Sequence, residues 1–545
     1  MELINQWPWL IIALLSIIPQ VLILFLVQAS RDRGTDHCFH VTLIEQIRRN
    51  RNRFVSEHGF LLIRPEVIYP QLVHWFLSLL PSRGSIRAGT YLSVAFSLLS
   101  TWALIGFAWV IHPDLSGFTT LPVHQFIMLV LLVYVLTPYS YSVSNAKNMG
   151  MSGRGIGLFC CELYLYLMVL HLVGHGSWLL IPALLAVLFI LVANIFAMQY
   201  ILFSAPVLAI LLRDWWFLVI PLIALVLFLL LFRRYAVRYL IGQWHHKRFY
   251  SKHLAERYIL RIRPSIWRDL IRDFWVIALG GFKRTESGAS ALAYFYTSPI
   301  VILVLGIPAL SVFVILGTRA ILGSETGSVV TTFPLALLSG IVLVGLALFV
   351  ATSFRKTRFL GEPERYVEVG IGALSILVTV LLVPHPVWYL LLIGFSFLYL
   401  ALNFLAYFRV LRKGKVTAAV QRIMQMREQL YGLLDPDDPP SRLLSNDTEI
   451  ARSLMDLRLK VFWGITMSER MGGMTYHEIF STYSIIRPEA MAGLARSFEV
   501  DFVVVDTHHM EEPARRFHED GLDVEELLDV DGLLLFRVRR SAGES

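Results

Sequence analysis

Long apolar segments separated by polar ones dominate this chain. The first apolar segment covers residues 7–27 and is followed by a polar interruption at 28–87. Ten more apolar segments follow at 88–112, 122–137, 156–173, 178–194, 196–212, 215–232, 298–317, 330–352, 365–384 and 387–409. Each approaches the length of about 20 residues that an α-helix needs to cross a bilayer core of roughly 30 Å. The pattern predicts a multi-spanning α-helical membrane protein with eleven transmembrane helices.

The apolar run at residues 178–212 is too long for one span. Asn194 and Gln199 lie near its middle and predict a break there, which divides the run into two helices. The count of eleven spans depends on this division. It also includes 7–27 as a retained helix, because no small-residue cleavage site follows that segment.

The number of spans fixes the side of the membrane on which each polar segment lies. Eleven spans with a cytoplasmic N-terminus place four parts outside: the segments 28–87, 233–297 and 353–364, and the C-terminal tail. The segments 233–273 and 354–358 are strongly basic, however, and basic loops favour the cytoplasm. A single span at 178–212 would satisfy that rule for every later loop and leave the arginine-rich 31–53 on the wrong side. The sequence leaves both arrangements open.

The first polar segment carries two amphipathic patterns. Between residues 38 and 49 the apolar side chains recur at helical spacing, which predicts a helix lying at the membrane interface: Phe39, Leu43, Ile44 and Ile47. A second short amphipathic segment, 67–75, begins at Tyr69 and Pro70. We therefore expect two interfacial helices, with a polar loop between them.

The chain changes character after residue 410. Residues 413–433 have a polar helical pattern, and 435–447 form a linker rich in proline and aspartate. Three apolar stretches then predict strands, and two amphipathic stretches between them predict helices: "LKVFWGIT", "VDFVVVD" and "GLLLFRV" for the strands, "RPEAMAGLARSF" and "MEEPARRFHED" for the helices. We expect a transmembrane domain at 1–410 that includes the loop 28–87, a linker at 411–447, and a small soluble α/β domain at 448–545.

Composition narrows the classes of partner. Of 545 residues, 56% are hydrophobic and 16% are charged, and the net charge is +8 at pH 7. Clusters of arginine and lysine in the loops of a membrane protein favour anionic lipid headgroups or phosphate-bearing substrates and argue against nucleic acid. The segment 233–275, with Trp244 and Lys247, is predicted to rest on anionic headgroups, where it would help to recruit a lipid phosphate; a cytoplasmic loop is the alternative. Three cysteines without a CxxC pair give neither a disulfide framework nor a metal motif.

Possible chemistry is concentrated just after the first span, in "RDRGTDHCFHVTLIEQIRR" at residues 31–49. Asp36 precedes an apolar-periodic run and is either a helix N-cap or a functional carboxylate. Asp36 and His40 have the i, i+4 spacing that puts two side chains on one helical face, where they could hold a divalent metal. His37 and His40 could instead orient a base, contact phosphate, or simply lie on the surface. No certain cofactor follows.

Several short motifs in order resemble the GT-C glycosyltransferases, the superfamily of the protein O-mannosyltransferases and lipid A aminoarabinose transferases. An acidic residue after the first span, Asp36, is followed by a "YPPL…W"-like element, here Tyr69-Pro70-Gln71-Leu72 and Trp75. "LVYVLTPYSYSVSNAKNMGM" at 132–151 looks like the Pro-ended helix that precedes the second outer loop of that family. "RFLGEPERYVEVG" at 358–370 resembles its Arg-Tyr element. A soluble α/β domain after the last span is also found in many members.

The resemblance implies an integral-membrane enzyme of a prokaryotic plasma membrane. It would move a sugar, with inversion, from a polyprenyl-phosphate donor to a lipid, protein or glycan acceptor on the outer face. The resemblance assigns Asp36 as the general base, and Arg365, with Arg358, Arg154 and Lys147 behind it, as ligands of the donor phosphate. The acceptor pocket would be built from aromatic and polar side chains: His37, His40, Tyr69, Gln71, His74 and Tyr366.

The sequence departs from the family pattern at three places. Gln71 replaces the second proline of "YPPL". "SNAKNMGMSGR" lacks the acidic residue that many members carry in the second outer loop, which puts a two-carboxylate mechanism in doubt. Nothing resembles the "WWDYG" element of oligosaccharyltransferases, so transfer of a whole oligosaccharide to asparagine is not supported.

Two other classes of function remain. A transporter or flippase of lipid-linked glycans would place charges and broken helices at mid-bilayer and show two related halves. Here the candidate groups cluster in loops and no halves match, although the break near Asn194 favours a transporter. A non-catalytic factor for assembly of cell-surface polysaccharide would keep the fold while Asp36 is inert.

Overall fold

The computed structural model describes residues 7–29, 36–63, 69–141, 151, 153–253, 303–322, 333–354, 357, 360, 363–412, 415–435, 437–463, 470–482 and 484–539. The chain forms two compact units. Unit 1 comprises Met1–Ala29, Ala88–Arg233 and Ile262–Arg412. Unit 2 comprises Ser30–Arg87, Arg234–Arg261 and Lys413–Ser545.

The described helices run in chain order as α1 Pro8–Ala29, α2 Asp36–Arg49, α3 Leu72–Ser78, α4 Ser82–Ile111, α5 Val123–Val135, α6 Arg154–Leu170, α7 Leu180–Ala193, α8 Ile195–Leu212, α9 Trp216–Phe249, α10 Pro308–Leu322, α11 Phe333–Ser353, α12 Glu364–Glu368, α13 Ile371–Leu382, α14 Pro386–Arg412, α15 Lys415–Gly432, α16 Thr448–Ser453, α17 Tyr476–Ile479, α18 Pro488–Ser497 and α19 Pro513–Glu519. The strands are β1 Ser441–Ser445, β2 Leu459–Val461, β3 Arg470–Met471, β4 Met474–Thr475, β5 Phe502–Asp506, β6 Val524–Val530 and β7 Leu533–Val538.

Unit 1 is built from apolar helices, and each of the eleven predicted apolar segments contains one. Within the described residues, six helical stretches are long and apolar enough to cross a membrane: Tyr91–Leu115, Arg154–His175, Ile195–Leu212, Trp216–His253, Phe333–Ser353 and Pro386–Leu405. Four shorter apolar helices lie at Pro8–Leu24, Val123–Val135, Ser177–Ala193 and Ile371–Leu382. The chain is therefore a mostly helical membrane protein with a small C-terminal sheet, and its described part contains six candidate membrane helices.

The predicted break at Asn194 is present. Asn194 adopts an extended backbone conformation between α7 and α8, and its side chain caps α8 by accepting a hydrogen bond from the Ala197 backbone N–H. Gly157 of α6 lies directly against this turn, where an added Cβ would overlap the Asn194 side chain and come within 3.0 Å of the Ala197 Cβ. The absence of a side chain at Gly157 thus lets α6 reach the start of α8.

Unit 2 is organised around a mixed sheet with the strand order β2-β1-β5-β7-β6. β1 pairs in parallel with β2 and β5, whereas β7 is antiparallel to β5 and β6. The strands predicted in "LKVFWGIT", "VDFVVVD" and "GLLLFRV" are confirmed as β2, β5 and β7, and the helices predicted in "RPEAMAGLARSF" and "MEEPARRFHED" are confirmed as α18 and α19. Four strands were not predicted: β1 lies in the expected linker, β3 and β4 form a short separate pair, and β6 is an acidic strand along the sheet edge.

Part of the first polar loop joins the C-terminal sheet. Leu61 forms a parallel bridge with Val461, the Leu62 N–H donates to the Val461 carbonyl, and the Val461 N–H donates to Phe60. This grouping differs from the sequence-based division into a transmembrane domain with its loop, a linker and a soluble domain. Because the pairing residues lie four hundred positions apart, short-range sequence patterns carry no signal for it.

The predicted helix after the first span is present as α2, and its apolar face is covered by protein; a position at the membrane interface stays a prediction. Its apolar side chains are buried in the core of unit 2, with Leu43 and Ile47 both 0% exposed. They pack with Met426, Leu430, Leu443 and Leu454 of the C-terminal segment. Amphipathicity reveals that one face is apolar but not what covers it; here protein covers it rather than lipid.

We predict that Gly157→Ala destabilises the protein by about 1–3 kcal/mol, because a methyl group forced into a packed helix contact displaces its neighbours. The measurement is thermal unfolding of the full chain in detergent. Gly106→Ala is the matched control: Gly106 also lies in a candidate membrane helix, but nothing is within 4 Å of an added Cβ. It should be neutral or mildly stabilising. Equal effects of the two substitutions would refute the close contact.

Candidate functional site

Two of the predicted phosphate ligands lie together in unit 1. The guanidinium carbon of Arg365 is 4.1 Å from the ring centroid of Phe196, and that of Arg154 is 5.3 Å from the same centroid. Both distances are within the roughly 6 Å at which a cation is attracted to the face of an aromatic ring. The stretches that supply the three residues are far apart in sequence, so the fold, not local structure, creates this cluster.

Local structure holds each member of the cluster in place. Arg154 is the first residue of α6, and Phe196 is the second residue of α8, immediately after the capped turn at Asn194. Arg365 lies in the short helix α12, which follows Pro363. Gly345 lets α11 approach α12 closely, because an added Cβ there would be 2.9 Å from the Tyr366 carbonyl oxygen.

The cluster borders a cavity in unit 1 that is lined by Arg154, Leu158, Cys161, Asn194, Phe196, Ala197, Tyr200, Arg365, Tyr366, Glu368 and Val369. Two guanidinium groups and the N-terminal ends of α6 and α8, which carry partial positive charge, lie at this cavity. Glu368 contributes the opposite charge. Such a site suits an anion with several oxygens, for which paired guanidinium groups are the preferred protein ligands.

Sequence reasoning found two of these arginines but missed the ring between them. Phe196 stands in a continuous apolar run, where an aromatic residue gives no functional signal. Tyr366, predicted for the acceptor pocket, lines the cavity, and its hydroxyl donates to the Leu360 carbonyl. The other two predicted phosphate ligands, Lys147 and Arg358, fall outside the described residues.

The residues predicted near the first span belong to unit 2. Asp36 is the first residue of α2, and His37 follows it in the first turn. His40, Tyr69 and His74 form a compact group of rings: the centroid of His40 is 5.2 Å from that of Tyr69 and 5.0 Å from that of His74. The Nδ1 of His40 and the Nε2 of His74 are 2.9 Å apart, so the N–H of one ring donates a hydrogen bond to the nitrogen of the other.

Gln71 fixes the loop that connects α2 to α3. Its side-chain oxygen accepts from the Val55 backbone N–H at 2.9 Å, and its side-chain nitrogen donates to the Val55 carbonyl at 2.8 Å. Trp75 adds a hydrogen bond from its indole N–H to the Asn52 carbonyl. This element, which resembles "YPPL…W", therefore shapes the polar loop 52–55 as well as supporting the group of rings.

A third histidine, His58, lies in the same core and was not predicted. It is 0% exposed and packs against Phe39 and Phe60. Burial lowers the pKa of His58 from 6.5 to about 4. Burial and the nearby His58 lower the pKa of His74 to about 3. Both rings are therefore neutral at pH 7.

The described residues contain no cluster of three histidine, cysteine, aspartate or glutamate side chains that could hold a metal ion. The placement of Asp36 and His40 at the start of α2 keeps their i, i+4 spacing. Metal binding by this pair stays a prediction.

Comparison with solved structures shows the fold. The structure of ArnT from Cupriavidus metallidurans bound to undecaprenyl phosphate matches with a TM-score of 0.52 and 12% identity, covering 98% of both chains. The oligosaccharyltransferase of Archaeoglobus fulgidus in the apo form also gives 0.52, with 11% identity, covering 92% of this chain and 70% of that one. The expected resemblance to the GT-C glycosyltransferases is confirmed at the level of the fold. No family model matches the sequence, and the comparison with curated proteins gave no match.

We predict that acidification opens the histidine-containing core of unit 2. The unfolded chain takes up protons on histidine near pH 6.5, whereas folded His58 resists protonation until about pH 4. The stability that neutral His58 contributes is complete above pH 6.5 and is lost as the pH falls towards 4. Each unit of pKa difference corresponds to about 1.4 kcal/mol.

Hydrogen exchange of residues 55–63 in the full chain, compared at pH 5 and pH 7.5 after correction for intrinsic rates, measures this opening. His58→Phe should reduce the acid sensitivity. His508→Phe is the control, because the His508 side chain is 75% exposed. Unchanged acid sensitivity in His58→Phe would contradict the prediction.

Proposed function

We propose that the protein is a membrane-embedded glycosyltransferase. It moves a sugar, with inversion, from a polyprenyl-phosphate donor to an acceptor on the outer face of the membrane. The observation that carries the proposal is the pairing of Arg154 and Arg365 around Phe196 at a cavity within the apolar helical unit. Charged side chains among apolar helices are costly and usually serve a function. The similarity to an ArnT structure bound to undecaprenyl phosphate supports the choice of ligand.

The phosphate of the donor is assigned to the cavity of unit 1. As the sugar leaves, negative charge develops on the lipid phosphate, and preorganised guanidinium groups stabilise that charge. Arg365 and Arg154 supply these groups, and Lys147 and Arg358 are kept as further candidates. The ring of Phe196 contacts both guanidinium groups and has no hydrogen-bonding atom that would compete with phosphate.

The acceptor is assigned to unit 2. A hydroxyl acceptor is a poor nucleophile until its proton is removed, and one positioned carboxylate can remove it. Asp36, at the start of α2, has this role. The neighbouring His37 and the group His40, Tyr69 and His74 border the acceptor, while Gln71 shapes the adjoining loop and Tyr366 the donor cavity. The acceptor is a lipid, a protein or a glycan.

The composition of unit 2 supports the eleven-span arrangement. Its segments Ser30–Arg87, Arg234–Arg261 and Lys413–Ser545 fold together, so they belong on one side of the membrane. The chain must then cross the membrane an even number of times between the first and second segments, and again between the second and third. Division of 178–212 at Asn194 gives six and four crossings, whereas one span there gives five. We infer that this side is the outer face of the plasma membrane.

Two variants separate donor binding from transfer. Arg365→Gln should weaken binding of undecaprenyl phosphate at least about tenfold, because a hydrogen bond to a charged group contributes about 1.5–3 kcal/mol. Asp36→Asn should leave that binding unchanged and slow transfer about 10²–10⁴-fold, the usual contribution of a general base. Binding is measured with the purified protein in lipid nanodiscs. Transfer is measured in cells that make only the variant protein. Because transfer consumes the donor, slow transfer should appear as accumulated polyprenyl-phosphate sugar in mass spectrometry.

Arg213→Gln provides the matched control, since Arg213 also belongs to unit 1 but follows the C-terminal end of α8 instead of bordering the cavity. The Arg213→Gln variant should bind undecaprenyl phosphate as tightly as the unaltered protein does. Cells that carry it should not accumulate polyprenyl-phosphate sugars. If Arg365→Gln binds the lipid normally, the donor site does not lie at this cavity. Normal donor levels in Asp36→Asn cells would end the role of Asp36 as base and favour a different function.

The topology makes a separate prediction. Single cysteines at Ser56, His245 and Glu512, one in each segment of unit 2, should all react with an impermeant thiol reagent on intact cells. The control is wild-type protein treated with the same reagent. It should remain unlabelled, because the native Cys38, Cys160 and Cys161 are buried. Labelling of Ser56 without Glu512 would be incompatible with the even number of crossings. Labelling of none before the cells are opened would put the whole unit on the cytoplasmic side and exclude the outer-face reaction.

A further inference from the structure

The segment Arg234–Phe249 at the end of α9 has two distinct faces. Tyr235, Tyr239 and Phe249 are buried, with exposed fractions of 6%, 0% and 3%. On the opposite side lies a stripe at helical spacing whose members are all exposed: Arg234, Val237, Ile241, Trp244 and Arg248. The three apolar members are 48%, 50% and 70% exposed, in chain order. We call these five residues the outer stripe.

The buried face is held by other parts of unit 2. The ring of Tyr235 packs on Phe54 with centroids 4.9 Å apart, and Phe249 meets Tyr476 edge-to-face at 5.4 Å. Arg238 pairs with Glu57. These contacts fix the rotation of the helix about its axis, so the direction of the outer stripe is set by the packing of the unit itself.

Chain continuity puts this helix at a membrane surface. The candidate membrane helix that includes it has 38 residues, well beyond the roughly 20 that cross a bilayer core. The helical geometry breaks at Arg233, where φ is 39° and ψ is −114°. The stretch before Arg233, residues 216–232, is entirely apolar and reaches the lower limit of about 17 residues for a helix that crosses the core. The chain therefore leaves the core near Arg233, and the outer stripe follows at once.

The chemistry of the outer stripe matches an anionic lipid surface. Tryptophan is enriched at the headgroup level, and aliphatic side chains on one face of a helix insert just below it. Arginines are attracted to the negative surface of anionic lipids. Here Val237, Ile241 and Trp244 form the apolar centre, and Arg234 and Arg248 stand at the two ends. A face turned towards water would instead carry charges along its whole length.

We propose that the outer stripe docks on anionic lipid, with Val237, Ile241 and Trp244 inserted among the headgroups and Arg234 and Arg248 bound to lipid phosphates. The apolar face of α2 is covered by protein, whereas the outer stripe is exposed and is placed against the membrane by this proposal. The docked helix holds the polar loop and the C-terminal sheet at the lipid surface. This proposal does not depend on sugar transfer and would stand if the protein had another activity.

The test is the depth of a spin label at Ile241→Cys in the full-length protein. Nanodiscs are made of phosphatidylcholine alone or with phosphatidylglycerol added. The depth of the label is measured from its collision rates with oxygen, which is concentrated in the bilayer, and with a nickel chelate, which stays in water. The label at Ile241→Cys should lie about 5–10 Å below the headgroup surface when anionic lipid is present. His508→Cys, exposed in the same unit, should report water. Val237→Cys repeats the measurement if the first variant does not fold.

Removal of the terminal charges tests the anionic preference. Arg234→Gln with Arg248→Gln should lower the docked population in phosphatidylglycerol discs, by about fivefold per arginine in the docking equilibrium, and leave phosphatidylcholine discs unaffected. A label at 241 that meets the nickel chelate as freely as one at 508 overturns the proposal. A label that meets neither collider also overturns it, because protein would then cover the stripe. Equal depth in both lipid mixtures overturns the role of the arginines.

Discussion

Burial of α2 in the core of the C-terminal sheet is the interaction on which the rest of unit 2 depends. Leu43 and Ile47 give up all their exposure to water, and Leu61 extends the sheet beside Val461. Apolar burial of this kind contributes roughly 25 cal/mol per Å². The same contacts set where Asp36 begins its helix and where the rings of His40 and His74 meet. The conformation of the first loop is thus specified by a domain at the other end of the chain.

The two parts of the proposed chemistry are supported in different ways. The phosphate site rests on helix packing among apolar elements, where Gly157 and Gly345 permit contacts that any side chain would block. The acceptor side rests on a mixed sheet and a loop clamped by Gln71. A change in one unit need not disturb the other. We therefore expect variants that lose donor binding but keep the loop intact, and the reverse.

Much of the fold was readable from periodicity alone. The apolar helices, the break at Asn194, the central strands and the two helices of the sheet domain all follow from patterns within a dozen residues. β1 was hidden in a breaker-rich stretch, and β6 was missed because its "DVEELLDV" sequence has the acidic composition of a loop. The sequence also could not predict what covers the apolar face of α2, because lipid and protein both require apolar side chains there.

For the site, sequence gave residue types but little of their arrangement. Arg154 and Arg365 were expected near phosphate from short motifs, yet their common ring, Phe196, could be found only in three dimensions. Gln71 appeared as a pocket residue from its motif, whereas its amide is engaged by the Val55 backbone. Residues whose role is set by contacts across hundreds of positions leave no local signature.

Unit 2 is assembled from the second, middle and last portions of the chain, and this has a consequence for biogenesis. At roughly 5–20 residues per second, about 20–75 seconds pass between synthesis of α2 and that of residue 413. During that time the apolar side of α2 has no core to enter. A chaperone or the lipid surface must shield it, and a protein shortened before Lys413 would keep that side exposed for its lifetime. Quality control of truncated chains would then begin at the first loop rather than at the broken end.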